Sequence, residues 1–81
     1  MGEYMAEFFI EPFTEGSPGP PVRAGIEAVH SLGMAPDVGA FGTTVVGDAP
    51  AIARAVSALV TAALGAGATR VSFQVVERTE S

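Results

Sequence analysis

The chain has 81 residues, 48% of them hydrophobic, and its four arginines face nine carboxylates for a net charge of −5. It contains no cysteine and no lysine, which removes thiol nucleophiles, disulfides, thiolate zinc sites, Schiff-base chemistry and a phosphate-loop lysine. Arg23, Arg54, Arg70 and Arg78 are scattered, so the clustered cations that bind a phosphate backbone are missing and nucleic acid is not an expected partner.

A length of 81 residues predicts a single domain, residues 1–81, near the lower limit for a self-sufficient core. Chains of this size gain stability by associating with copies of themselves, so a homo-oligomer is expected. No apolar run approaches the ~20 residues needed to cross a bilayer, and no membrane association is expected. The opening MGEYMAEFF is acidic and lacks the basic start of a signal peptide, and Ala6 stands where a myristoylation signal needs Ser or Thr. The expected location is the cytoplasm.

In chain order, Tyr4 to Phe13 alternates as a strand, with Ala6, Phe8 and Ile10 on one face and Glu7, Phe9 and Glu11 on the other. Glutamates recur every four residues from Glu3 to Glu15, but as a helix they would repel and Pro12 would break the ladder. Thr14 to Gly19 is a loop by composition. Prolines 20 and 21 suit a first helical turn, and Val22, Ile26 and Val29 follow at helical spacing before Gly33, giving a helix from Pro21 to Leu32. Asp37 to Phe41 reads as extended chain. Gly42 turns it into a β-branched strand, Thr43 to Val46. Asp48 is the natural N-cap of a second helix, with Pro50 in its first turn and a stripe of Ile52, Val56, Leu59, Val60 and Ala63. That helix stops at Gly65–Gly67. The last strand, Arg70 to Glu77, places Val71, Phe73 and Val75 on one face and Ser72, Gln74 and Val76 on the other.

The pattern is strand–helix–strand twice over. It predicts an α+β, ferredoxin-like split β-α-β fold (βαββαβ), a four-stranded antiparallel sheet in the order 4-1-3-2 with two helices on one face. The other face then carries Glu7, Phe9 and Glu11 beside Ser72, Gln74 and Val76, half polar and half apolar. Such a surface suits a cationic aromatic ligand, with a ring to stack on and carboxylates to balance charge. It also suits a solvated strand face or a subunit contact. Thr43 and Thr44 offer hydroxyls, although threonine also simply favours strands. His30, the single histidine, stands near the end of the first helix, where a surface role outweighs that of a general base. No second histidine joins Asp37 or Asp48, so neither a metal nor a cofactor is expected.

The segments AEFFIEPF (Ala6–Phe13), GTTVVGD (Gly42–Asp48) and ATRVSFQV (Ala68–Val75), in this order around two helices, resemble the small thiamine-binding, YkoF-like proteins. The resemblance covers about residues 5 to 78. Its most specific elements are Gly-Thr followed by Gly-Asp at Gly42–Asp48 and the Ala-Glu strand ending in Pro12. It implies a ferredoxin-like fold, dimers or tetramers, and non-catalytic binding of thiamine or its hydroxymethylpyrimidine moiety. Glu11, where an apolar residue is commoner, and the longer GSPGPP loop depart from the family pattern. On this reading the ligand-binding candidates are Glu7, Phe9, Glu11, Phe41, Thr43 and Thr44. The alternatives are an oligomerisation module without a ligand and a small cofactor-free enzyme using His30.

Overall fold

Alternation of side chains along Glu3–Glu11 builds β1, the strand around which the rest is arranged. A computed structural model describes residues 2–12, 19–39 and 42–78. After β1 come α1 (Pro20–His30), β2 (Asp37–Val38), β3 (Thr43–Gly47), α2 (Ala49–Gly65) and β4 (Arg70–Arg78). The strands form one antiparallel sheet in the order β2-β3-β1-β4, which is the expected ferredoxin-like arrangement.

The helices begin where the chain supplies the right first turn. Pro20 and Pro21 open α1, and their missing N–H groups fall where a helix has no acceptor to offer. The Asp48 carboxylate caps α2 by accepting from the Ala51 N–H at 2.9 Å. Both helices leave through a glycine of positive φ close behind them, Gly33 at 83° and Gly67 at 104°, a conformation that other residues adopt at a cost.

One core lies between the helices and a single sheet face. Ala6, Phe8 and Ile10 of β1 and Val45 of β3 meet Val22 and Val29 of α1 and Ile52, Ala55, Leu59 and Ala63 of α2, all buried. The helices pack closely at Gly25, where an added Cβ would lie 3.1 Å from Leu59 Cγ and 3.4 Å from Ile10 Cδ1. Ala55 is the buried α2 residue that the expected stripe did not contain; Val56, on that stripe, is only partly buried.

Two boundaries differ from the sequence reading in instructive ways. β1 ends at Glu11, since Pro12 has no N–H for a ladder, and Phe13 lies outside the described residues. Among the described residues β2 is a strand at Asp37–Val38 and stops before Gly39, and the end of the expected Asp37–Phe41 lies outside the described residues. There the Gly39 N–H donates to the Gly42 carbonyl at 2.8 Å, in register with the Asp37–Thr44 and Val38–Thr43 pairs, which closes the hairpin into β3.

Coverage by the helices is uneven. α2 contacts β1, β3 and β4, whereas α1 reaches β1 and α2. On β4 the residues facing the helix side, Phe73 and Val75, remain 48% and 43% exposed. The outer strand therefore extends past the cover that two helices provide.

Candidate functional site

The strand register assigns every side chain to a face. Ala6 lies opposite Val45 and Val75, and Phe8 opposite Thr43 and Phe73, so these residues share the helix side. Glu7 lies opposite Thr44 on one flank and Gln74 on the other, and Thr44 lies opposite Asp37. Asp37, Thr44, Glu7 and Gln74 thus form one polar row that crosses all four strands on the uncovered side.

Neighbouring rows on that side are different in character. Toward the start of β1, Val46, Met5 and Val76 make an apolar row. Toward its end, Phe9 lies opposite Ser72 and is 39% exposed. Glu11, one row further, lies directly opposite Arg70. Cross-strand rows are spaced about 3.3 Å along the strand, so Phe9 sits roughly 6.6 Å from Glu7 and from Glu11. A ring stacked on Phe9 would lie between two carboxylates.

The two carboxylates are not equivalent. Arg70 faces Glu11 and offsets its charge, while the side chains flanking Glu7 are neutral and able to hydrogen-bond. Glu7 is also partly buried, whereas Glu11 is exposed. Glu7 is the stronger counter-charge for a cation on this face. Gly42 fixes the ring beside it: a Cβ there would meet the Phe8 carbonyl oxygen at 2.9 Å and Phe9 Cε1 at 3.0 Å.

Glu7, Phe9, Glu11 and Thr44 therefore come together on the open sheet face. Thr43 does not join them. It is 3% exposed and lies on the helix side opposite Phe8. Phe41 lies outside the described residues. Asp37 completes the polar row, a place that neither its extended segment nor its weighing as a metal ligand predicts; it depends on the β2–β3 register, which no local pattern announces. His30 is exposed at the end of α1, on the other side of the sheet.

A concavity lies on the helix side, an open groove of about 540 Å³ lined by Tyr4, Ala49, Ile52, Ala53, Val56 and Val75. Its walls are apolar apart from the Tyr4 hydroxyl, so it has no counter-charge for a cation. Among the described residues, no group of three or more histidines and carboxylates is placed to hold a metal ion. Among the described residues, no helix is long and apolar enough to cross a membrane.

Fold and surface together define a small ferredoxin-like α+β protein whose uncovered sheet face mixes carboxylates, amide, hydroxyl and an aromatic ring. Within that class, residues 6–79 match the family model described as thiamine-binding protein, and the chain belongs to that family. Among solved structures, it is similar to a hypothetical protein from Methanocaldococcus jannascii, at 23% identity and TM-score 0.70, covering 100% of this chain and 84% of the other. A domain of unknown function from Bacillus cereus is 24% identical with TM-score 0.69, over 98% of this chain and 77% of that one. A Thermotoga maritima protein provisionally assigned to thiamine biosynthesis or salvage is 25% identical with TM-score 0.67, over 96% of this chain and 84% of its own. No curated protein matches the sequence.

Proposed function

We infer that this protein binds thiamine or its hydroxymethylpyrimidine moiety, without chemistry, as a cytoplasmic homo-oligomer. Membership of the thiamine-binding family carries the choice of ligand. The open sheet face supports it on chemical grounds. Thiamine has a cationic thiazolium and an aminopyrimidine, and both rings can stack on an aromatic side chain. Phe9 offers the ring, and Glu7 balances charge and accepts a hydrogen bond from the amino group. Thr44 and Gln74, on either side of Glu7, match the donor and acceptor pattern of the pyrimidine edge. Glu11 has a smaller part because Arg70 already faces it.

An open sheet face becomes a small-molecule site only when something covers it, since such sites are concave and exclude water. Self-association supplies that cover in this reading. Calorimetry with thiamine and with hydroxymethylpyrimidine is the direct test, with binding expected for at least one. No heat and no thermal shift at millimolar ligand would reject it.

A further inference from the structure

Proteins hold phosphate with helix N-termini and with the cations of lysine and arginine. α1 opens on Pro20 and Pro21, which have no N–H to give, and the first turn of α2 is already taken by the Asp48 carboxylate. The chain has no lysine. Of its four arginines, Arg23 lies on α1 and Arg54 on α2, on the covered side of the sheet. Arg70 and Arg78 of β4 are left for the open face, where each faces a carboxylate: Glu3 lies 3.7 Å from Arg78, and Glu11 is directly opposite Arg70.

These two arginines are not equally placed. Both stand four residues from the row of Glu7 and Gln74, about 13 Å along the strand. The apolar row of Met5, Val46 and Val76 separates Glu7 from Arg78. Phe9 lies between Glu7 and Glu11, and its row is only about 6.6 Å from that of Glu11 and Arg70. Arg70 is therefore the arginine within reach of the tail of a ligand stacked on Phe9. The Thr69 N–H donates to the Glu11 carbonyl at 2.8 Å, which ties the end of β1 to the start of β4 and keeps Glu11 beside Arg70.

We propose that Glu11 is a specificity-determining residue: by facing Arg70 it makes the site accept unphosphorylated thiamine or hydroxymethylpyrimidine and reject their phosphate esters. The inference rests on the functional reading above for the ligand and adds the form in which it is bound. Thiamine carries one positive charge, and a phosphate monoester adds about −1.5 to −2 at pH 7. The strand residues of the open face hold four carboxylates, Glu3, Glu7, Glu11 and Asp37, against two arginines. A phosphate turned toward Glu7 meets that carboxylate and Asp37, neither of them opposite an arginine. Turned the other way, it meets Glu11 in the same row as Arg70. Arg70 alone would give it a charge-assisted partner, but the pair offers no net attraction.

The size of the effect follows from charge and distance. Two like unit charges about 7 Å apart cost roughly threefold in affinity at the dielectric constant of water, so a dianion loses about tenfold. A protein with this preference holds the pool that precedes phosphoryl transfer and leaves the ester products free.

Calorimetry at low salt tests this by comparing thiamine with thiamine monophosphate, and hydroxymethylpyrimidine with its monophosphate. In the unmodified protein each ester should bind about tenfold or more weakly than its parent. Glu11→Gln frees Arg70 and should bring the ester to within about threefold of the parent, while Arg70→Gln should widen the gap. Glu27→Gln is the control: it makes the same change in net charge from an exposed position on α1, and should leave the ratio where it was. Raising the salt should narrow the ratio in the unmodified protein. An ester that binds as tightly as its parent would overturn the proposal and leave thiamine binding itself standing. A ratio that survives Glu11→Gln, or that Glu27→Gln closes equally well, would overturn it too. No heat with either parent compound would reject the functional reading, and this inference with it.

Discussion

Thr43 and Thr44 show how much one position along a strand decides. They are chemically identical, yet one is sealed against Phe8 under the helices and the other stands beside Glu7 on the open face. Sequence reasoning placed both in the site because both hydroxyls were available, but a strand separates neighbours onto opposite faces. Single substitutions test the resulting hierarchy. Glu7→Gln removes the least compensated carboxylate and should weaken thiamine binding about tenfold to a hundredfold, the worth of a hydrogen bond to a charged group. Glu11→Gln should do less, because Arg70 faces it, and calorimetry on the two variants side by side measures the difference. Gly42→Ala is a different experiment. Its Cβ would press on the Phe8 carbonyl oxygen and the Phe9 ring, so it should cost roughly 1–3 kcal/mol in urea unfolding and weaken ligand binding as Phe9 shifts.

Elements were the most legible part of this sequence, because their signals are local. Pro20 and Pro21 at the start of α1, Asp48 capping α2 and alternation along β1 each state a boundary or a face through near neighbours. Asp48→Ala leaves one N–H of the first turn without its acceptor and should cost about 1 kcal/mol in thermal or urea unfolding. What could not be read locally is how the elements fit together. Gly25 resembles a weak helical residue in sequence, but in the fold it is where α1 meets Leu59 of α2 and Ile10 of β1. Gly25→Leu should therefore destabilise by roughly 1–3 kcal/mol despite the better helix propensity of leucine. Unfolding midpoints decide this: a neutral or stabilising result would mean that the helices separate there without cost. β2 failed the local reading for a similar reason. Its pairing depends on partners across the turn, where Gly39 donates to Gly42 in the same register as the Asp37–Thr44 and Val38–Thr43 pairs.

At the scale of the molecule, charge and coverage set the behaviour. The attraction of a cation to carboxylates on an acidic protein is screened by salt, less so where they are partly buried like Glu7, so thiamine affinity should fall as salt is raised. Titration at low and high ionic strength measures it, and an unchanged affinity would place the ligand away from Glu7, for example in the apolar groove beside α2. Ligand at about 100 times its dissociation constant should raise unfolding stability by about 2.7 kcal/mol, read as an upward shift in the midpoint.

The sequence by itself determined the kinds of element, their order, the fold class and the exclusion of thiol, lysine and phosphate-backbone chemistry. These follow from composition and short-range periodicity, which are properties of a few adjacent residues. Tertiary structure alone decided that Asp37, Thr44, Glu7 and Gln74 form one row, that Thr43 is withdrawn from it, and that Phe73 and Val75 stay half-exposed. Each depends on strand register or on how far two helices reach across a four-stranded sheet. Those are distances between residues far apart in the chain, and no periodicity within a segment encodes them.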